Sequence, residues 1–247
     1  MNRKKIGIAG WVMGTGFGVT LAYVEFFQHF GDVHIINPNE KTTRDIDLLV
    51  LPGGPDIDVC RYLSSEESIS MYISKPCPFR EWFDMVLLPK YMKKKVPIFG
   101  ICRGHQSFAA INNGHLIQNM WHETNENNRS KKVHNLDISL ISLKKFGLES
   151  AYSFNYKVNS IHHQAIDIIP ENAISLAVYK GEENDTKHNE ALGYIDYPAF
   201  TVQWHPEELG DCELSIAMIE KLLDENYYKS LFEIENSFKK IKIPETV

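Results

Sequence analysis

VPIFGICRGHQ, residues 96–106, decides the fold. Val96 to Ile101 is apolar at successive positions, as in a strand covered on both faces. Phe108, Ala109 and Ile111 then follow at helical spacing, and Asn113-Gly114 makes a suitable helix end. Between strand and helix lies Gly-Ile-Cys-Arg-Gly, the cysteine form of a nucleophile elbow, whose flanking glycines permit a turn that larger side chains would crowd. The Cys102 thiol is expected at a helix N-terminus, where the partial positive charge favours thiolate. Taken alone, a cysteine at a strand end reads equally well as a small buried hydrophobe.

Toward the N-terminus, KKIGIAG, a helix over 18–30, DVHIIN, DLLVLPGG and a helix near 81–94 lead up to the elbow. This alternation predicts parallel strands joined by helical crossovers, hence an α/β fold. LLVLPGGPDID (48–58) is a buried strand ending in two glycines. Gly53 and Gly54 let the backbone pass close to a ligand and aim an N–H inward, and the Arg103 N–H supplies a second donor, together an oxyanion hole. A tight turn that needs glycine explains the same residues when nothing else is considered.

Beyond the elbow the chain is richer in strands. LDISLISL, AISLAVY, ALGYIDY and PAFTVQW read as strands, and 125–132 and 181–190 as polar loops. Residues 213–223 suit an amphipathic helix, and the charged tail from about 225 is either a further helix or a partly ordered end. In TVQWHPEE (201–208), residues two apart in an extended segment point the same way, so Glu207 reaches the His205 imidazole and fixes its tautomer. His205 then serves as base toward Cys102 and as acid toward a leaving amine.

The 247 residues suit one domain spanning 1–247, with the tail peripheral. With 26 basic against 32 acidic residues and a net charge of −6, no positive field is available to hold nucleic acid. No apolar run approaches the roughly 20 residues of a membrane span, and the basic start runs into a strand pattern instead of a cleavage site. Four cysteines without CxxC spacing point to reducing cytoplasm.

The PGGP loop, the GICRGHQ elbow and the QWHPE segment, in that order, resemble the class I glutamine amidotransferase superfamily. VNSIHHQAI (158–166) looks like its γ-glutamyl hydrolase branch, peptidase family C26. The motifs cover roughly 46–210, and GWVMGTGFGVT in the first 45 residues lies outside them. The resemblance implies a flavodoxin-like three-layer sandwich, with Cys102 as nucleophile, His205 as base and Glu207 as orienting acid. It also implies an oxyanion site from the Gly53-Gly54 loop and the Arg103 backbone, with Gln106 and His162 near the γ-glutamyl group. The implied substrate is a small γ-glutamyl amide or glutamine, cleaved without a cofactor. His105 departs toward the amidotransferases, whose elbow commonly reads Gly-His-Gln.

Other readings fit less well. Gly14, Gly16 and Gly18 form GTGFG, which is not the G-x-G-x-x-G of a dinucleotide site. A zinc site built from His162, His163, His205 and Cys102 is disfavoured, because adjacent strand histidines point to opposite faces, so no metal is expected. Three functions stay open: a free-standing γ-glutamyl hydrolase, a glutaminase subunit feeding ammonia to a separate synthetase partner, and a silent binding module.

Overall fold

A computed structural model describes residues 3–14, 16–58, 75–120, 127–181 and 188–227. The tail beyond 227, residues 125–126 of the first polar loop and 182–187 of the second lie outside these ranges. Five parallel strands form one side of the sheet: β1 (Lys5–Ala9), β4 (Asp32–Ile36), β5 (Leu48–Leu51), β6 (Ile98–Ile101) and β13 (Ala199–Val202). They stand side by side as β4-β1-β5-β6-β13. Counted in chain order among themselves, that is the flavodoxin-like arrangement 2-1-3-4-5, as expected.

The apolar runs alternate between two cores. Leu48 and Val50 of β5 enter one cluster with Phe99 and Ile101 of β6. Leu49 and Leu51 enter the other with Ile98. The first face is covered by α1 (Leu21–Phe27) through Tyr23 and Phe27 and by α7 (Glu213–Leu223) through Met218 and Ile219. The second is covered by α3 (Leu88–Lys93) and α4 (Arg103–Ile111), through Tyr91 and Phe108. Both faces of β5, β6 and β13 are dry, which is why alternation is invisible in their sequences.

From β13 the sheet continues antiparallel through β12 (Asn189–Tyr194), β11 (Ala173–Lys180), β8 (His134–Ile138) and β9 (Tyr156–Val158), with β10 (Ala165–Ile168) and β7 (His115–Ile117) branching from β12. This is the strand-rich second half.

Four local expectations are corrected. Strand β2 (Trp11–Met13) pairs antiparallel with β3 (Gly16–Gly18), so the first helix starts only at Leu21. The helix near 81–94 is broken into α2 (Pro78–Trp82), a π-turn Phe83–Leu87 and α3. Pro89 has no N–H for the ladder, and the π-turn lies just before it. LDISLISL is half strand and half helix: Ser139 accepts a hydrogen bond from the Ser142 N–H (3.2 Å) and starts α5 (Leu140–Lys145). Finally, Glu207 lies not in an extended segment but in the first turn of α6 (Pro206–Leu209), which Pro206 initiates.

Candidate active site

The C-terminal ends of β5, β6 and β13 bring three segments together. Cys102 follows β6 with φ 51° and ψ −107°, a conformation few side chains adopt, at the N-terminal cap of the nine-residue α4. The turn is possible because a Cβ at Gly100 would come within 2.8 Å of Gly104 O, and one at Gly104 would overlap Leu51 O. Strand β5, strand β6 and the start of α4 are thus packed backbone to backbone. The Cys102 side chain is 6% exposed.

His205 caps α6, and its Nδ1 meets Glu207 Oε1 at 2.7 Å with both side chains buried. Burial alone would depress the His205 pKa. The Glu207 carboxylate and Cys102 outweigh it and raise the value to about 10. Asn159 fixes the histidine backbone from both sides: its Oδ1 accepts from His205 N (2.9 Å), and its Nδ2 donates to His205 O (3.1 Å) and to Arg129 O (2.7 Å).

The glycine loop closes the third side. A Cβ at Gly53 would lie 2.7 Å from His205 Cε1 and 3.6 Å from Cys102 Cβ, so only glycine fits against the pair. The Gly53 N–H donates to Tyr23 Oη at 2.8 Å. Burial first, and the nearby Glu207 carboxylate second, hold the Tyr23 phenol well above its ordinary pKa, so it stays protonated. The loop's carbonyls are held by Arg80, whose guanidinium donates to Pro52 O (2.8 Å) and Gly53 O (3.0 Å) and lies 5.5 Å from the Trp11 ring centroid. Arg80 is fully buried; burial and the neighbouring Arg103 lower its pKa to about 10. The Arg103 side chain runs away from the site to Asp84 (2.7 Å) and Glu81. Its backbone N–H opens α4, where no intrahelical partner exists.

The remaining candidate residues point elsewhere. The Gln106 amide donates to Gln164 O (2.8 Å) and Gln203 Oε1 (3.1 Å), tying α4 to the wall of the antiparallel half. His162 and His163 diverge, as adjacent residues should. His163 Nε2 meets Asp56 Oδ1 at 2.9 Å, and His162 faces the buried Glu190. Burial would push the Glu190 pKa up, but His134 and His188 hold it well below the usual carboxylate range. His105 is fully buried between Thr201 Oγ1 (2.7 Å) and Asn189 O (3.3 Å), and burial lowers its pKa to about 4. Tyr23, Arg80 and Asn159 were not singled out by sequence; VNSIHHQ held Asn159, and nothing local marked the other two.

The arrangement suits nucleophilic chemistry: an imidazole braced by a carboxylate beside a thiol at a helix N-terminus, with glycine backbone opposite. A protein-family model described as Peptidase C26 matches residues 16–207. The chain belongs to the peptidase C26 family. The C26 match begins well before the PGGP loop and takes in α1 and β4, beyond the reach of the sequence motifs. Similar proteins include one named glutamine amidotransferase-like protein YvdE, of Lactococcus lactis, 29% identical over 75% of this chain and 79% of that one. The γ-glutamyl-γ-aminobutyrate hydrolase PuuD of Escherichia coli is 26% identical over 75% of this chain and 76% of its own. A solved GMP synthase component from Thermoplasma acidophilum shares the fold, with TM-score 0.59 at 16% identity over 96% of this chain and 99% of that one. A glutamine amidotransferase from Thermotoga maritima does so with TM-score 0.53 at 17% identity over 94% and 96%.

Proposed function

We propose that this C26 protein hydrolyses a γ-glutamyl amide bond by cysteine catalysis. The observation that carries the reading is the His205 imidazole, held at 2.7 Å by Glu207 and packed against Cys102 at the elbow. The Cys102 thiolate adds to the γ-carbonyl, and the oxyanion is received by the N–H groups of Gly54 and Arg103, since that of Gly53 already serves Tyr23. Collapse breaks the C–N bond while the His205 imidazolium protonates the amine, leaving a glutamyl thioester. Water, deprotonated by His205, then adds to the thioester carbon, and the C–S bond breaks to release glutamate and regenerate the thiol.

The similarity to PuuD, named as a γ-glutamyl-γ-aminobutyrate hydrolase, supports a γ-glutamyl amine as substrate. The similarity to YvdE, named as glutamine amidotransferase-like, supports the second reading, a glutaminase that passes ammonia to a separate synthetase. The test is glutamate release from a panel of γ-glutamyl amines, γ-glutamyl peptides and glutamine, wild type against Cys102→Ala, with no added protein. Release that vanishes in Cys102→Ala is expected. Silence on every member, followed by glutamine hydrolysis once a copurifying synthetase is added, overturns the hydrolase reading in favour of the second.

A further inference from the structure

Away from Cys102, in the antiparallel half, three histidines converge on one buried carboxylate. Glu190 Oε1 lies 2.7 Å from His188 Nε2 and 3.7 Å from His162 Nε2, and Glu190 Oε2 lies 3.5 Å from His134 Nε2. All four residues are at least 94% buried. They come from separate segments: His134 from β8, His162 from the stretch ahead of β10, and His188 with Glu190 from the start of β12. Tyr179 walls the group, stacking on His188 (5.0 Å) and meeting His134 edge to face (4.8 Å).

One tautomer is fixed by its partner. His162 Nδ1 lies 2.9 Å from Gln164 O, and a carbonyl oxygen only accepts, so Nδ1 carries the proton. The other ring nitrogen, Nε2, faces Glu190 Oε1 at 3.7 Å. A histidine whose far nitrogen donates to a backbone carbonyl is also the usual outer arrangement of a metal ligand. We infer that His162, His188 and Glu190 form a binding site for a zinc-like divalent transition ion, with His134 against the other oxygen of Glu190. Two imidazole nitrogens and one carboxylate oxygen are the three-ligand set such an ion takes when its fourth position is left open. One ligand atom from each of the three residues lies within 4.8 Å of the other two, with Glu190 Oε1 at 2.7 Å from His188 Nε2 and 3.7 Å from His162 Nε2. With bonds of about 2.0–2.1 Å, a tetrahedral site has ligand-to-ligand edges of about 3.3 Å, so side-chain shifts of about 1 Å close it. The ion would pin the stretch ahead of β10 to the start of β12. Gln164 O, which accepts from both His162 and Gln106, links the cluster to α4. The proposal is independent of the amide-hydrolase reading.

The test uses the full chain stripped with chelator and titrated with cobalt(II), which reports its geometry by visible absorption. One equivalent bound with the intense bands of four-coordinate cobalt, displaced by zinc, is expected. His188→Asn and Glu190→Gln should each weaken uptake at least about 100-fold, whereas Cys102→Ala should bind like wild type. Uptake below about one tenth of an equivalent by the wild type overturns the proposal, as does uptake that survives both substitutions. Should His188→Asn not fold, His162→Gln replaces it, with the cobalt-induced rise in thermal midpoint as readout. A rise in that variant equal to the wild type's also overturns the site.

Discussion

The Gly53 N–H and the Tyr23 hydroxyl, thirty residues apart in sequence, are joined at 2.8 Å, so one amide of the glycine loop is already engaged by helix α1. Tyr23→Phe removes the acceptor and leaves a buried N–H unpaired. A loss of about 1–3 kcal/mol in urea unfolding is expected, accompanied by a fall in kcat as the loop loosens. An unchanged urea midpoint would show that the contact does not hold the loop.

Arg80 grips the same loop from its carbonyl side. Arg80→Lys keeps a cation but loses the planar fork that serves two oxygens at once. Turnover should drop roughly 10- to 100-fold with KM nearly constant, because the loop contributes to the transition state more than to substrate capture. A change confined to KM would place Arg80 in binding instead.

Glu207→Gln retains the bulk of the side chain and removes its charge. Turnover should fall by roughly 10- to 10⁴-fold with less change in affinity. Wild-type rates in single-turnover measurements would mean that the acid comes from another residue.

His205 and His105 predict opposite pH slopes. The folded pKa of His205, raised to about 10, means the native state keeps a proton that the unfolded chain releases near 6.5. The associated stability is complete below about 6.5 and is lost toward pH 10, at no more than about 1.4 kcal/mol per pH unit. His105, lowered to about 4, stays neutral while the unfolded chain takes up a proton, so its contribution is lost as pH falls from about 6.5 toward 4. Thermal midpoints should therefore peak near neutrality. The alkaline decline should flatten in Glu207→Gln and the acid decline in His105→Gln.

The parts of the site that sequence made legible are those packed into contiguous motifs. The elbow around Cys102 and the His205–Glu207 spacing could be read because glycine, cysteine and proline each impose a local geometry. Even there, the spacing argument reached a contact that the structure makes through a different backbone, since Pro206 turns the segment into helix. Tyr23 and Arg80 were hidden because they act across the fold on a loop some thirty residues away. His188 and Glu190 were hidden by company: GEENDTKHNE reads as a solvated loop, yet its last residues enter the sheet and are buried. LDISLISL misled because a single serine cap turns a strand pattern into a helix start.

The backbone-to-backbone fit at Gly104 has a consequence for how this scaffold can diversify. With no room for one methyl group between Leu51 O and the first turn of α4, the thiol and the glycine loop are locked to each other as a single rigid piece. Selection for a new substrate therefore has nothing to adjust along that seam. Variation is channelled to the pieces that lean on it from outside, chiefly the β2–β3 pair, whose Val12, Met13 and Phe17 stand exposed. Chimeras that exchange residues 11–18 between family members should carry substrate preference with them and leave the chemical step intact.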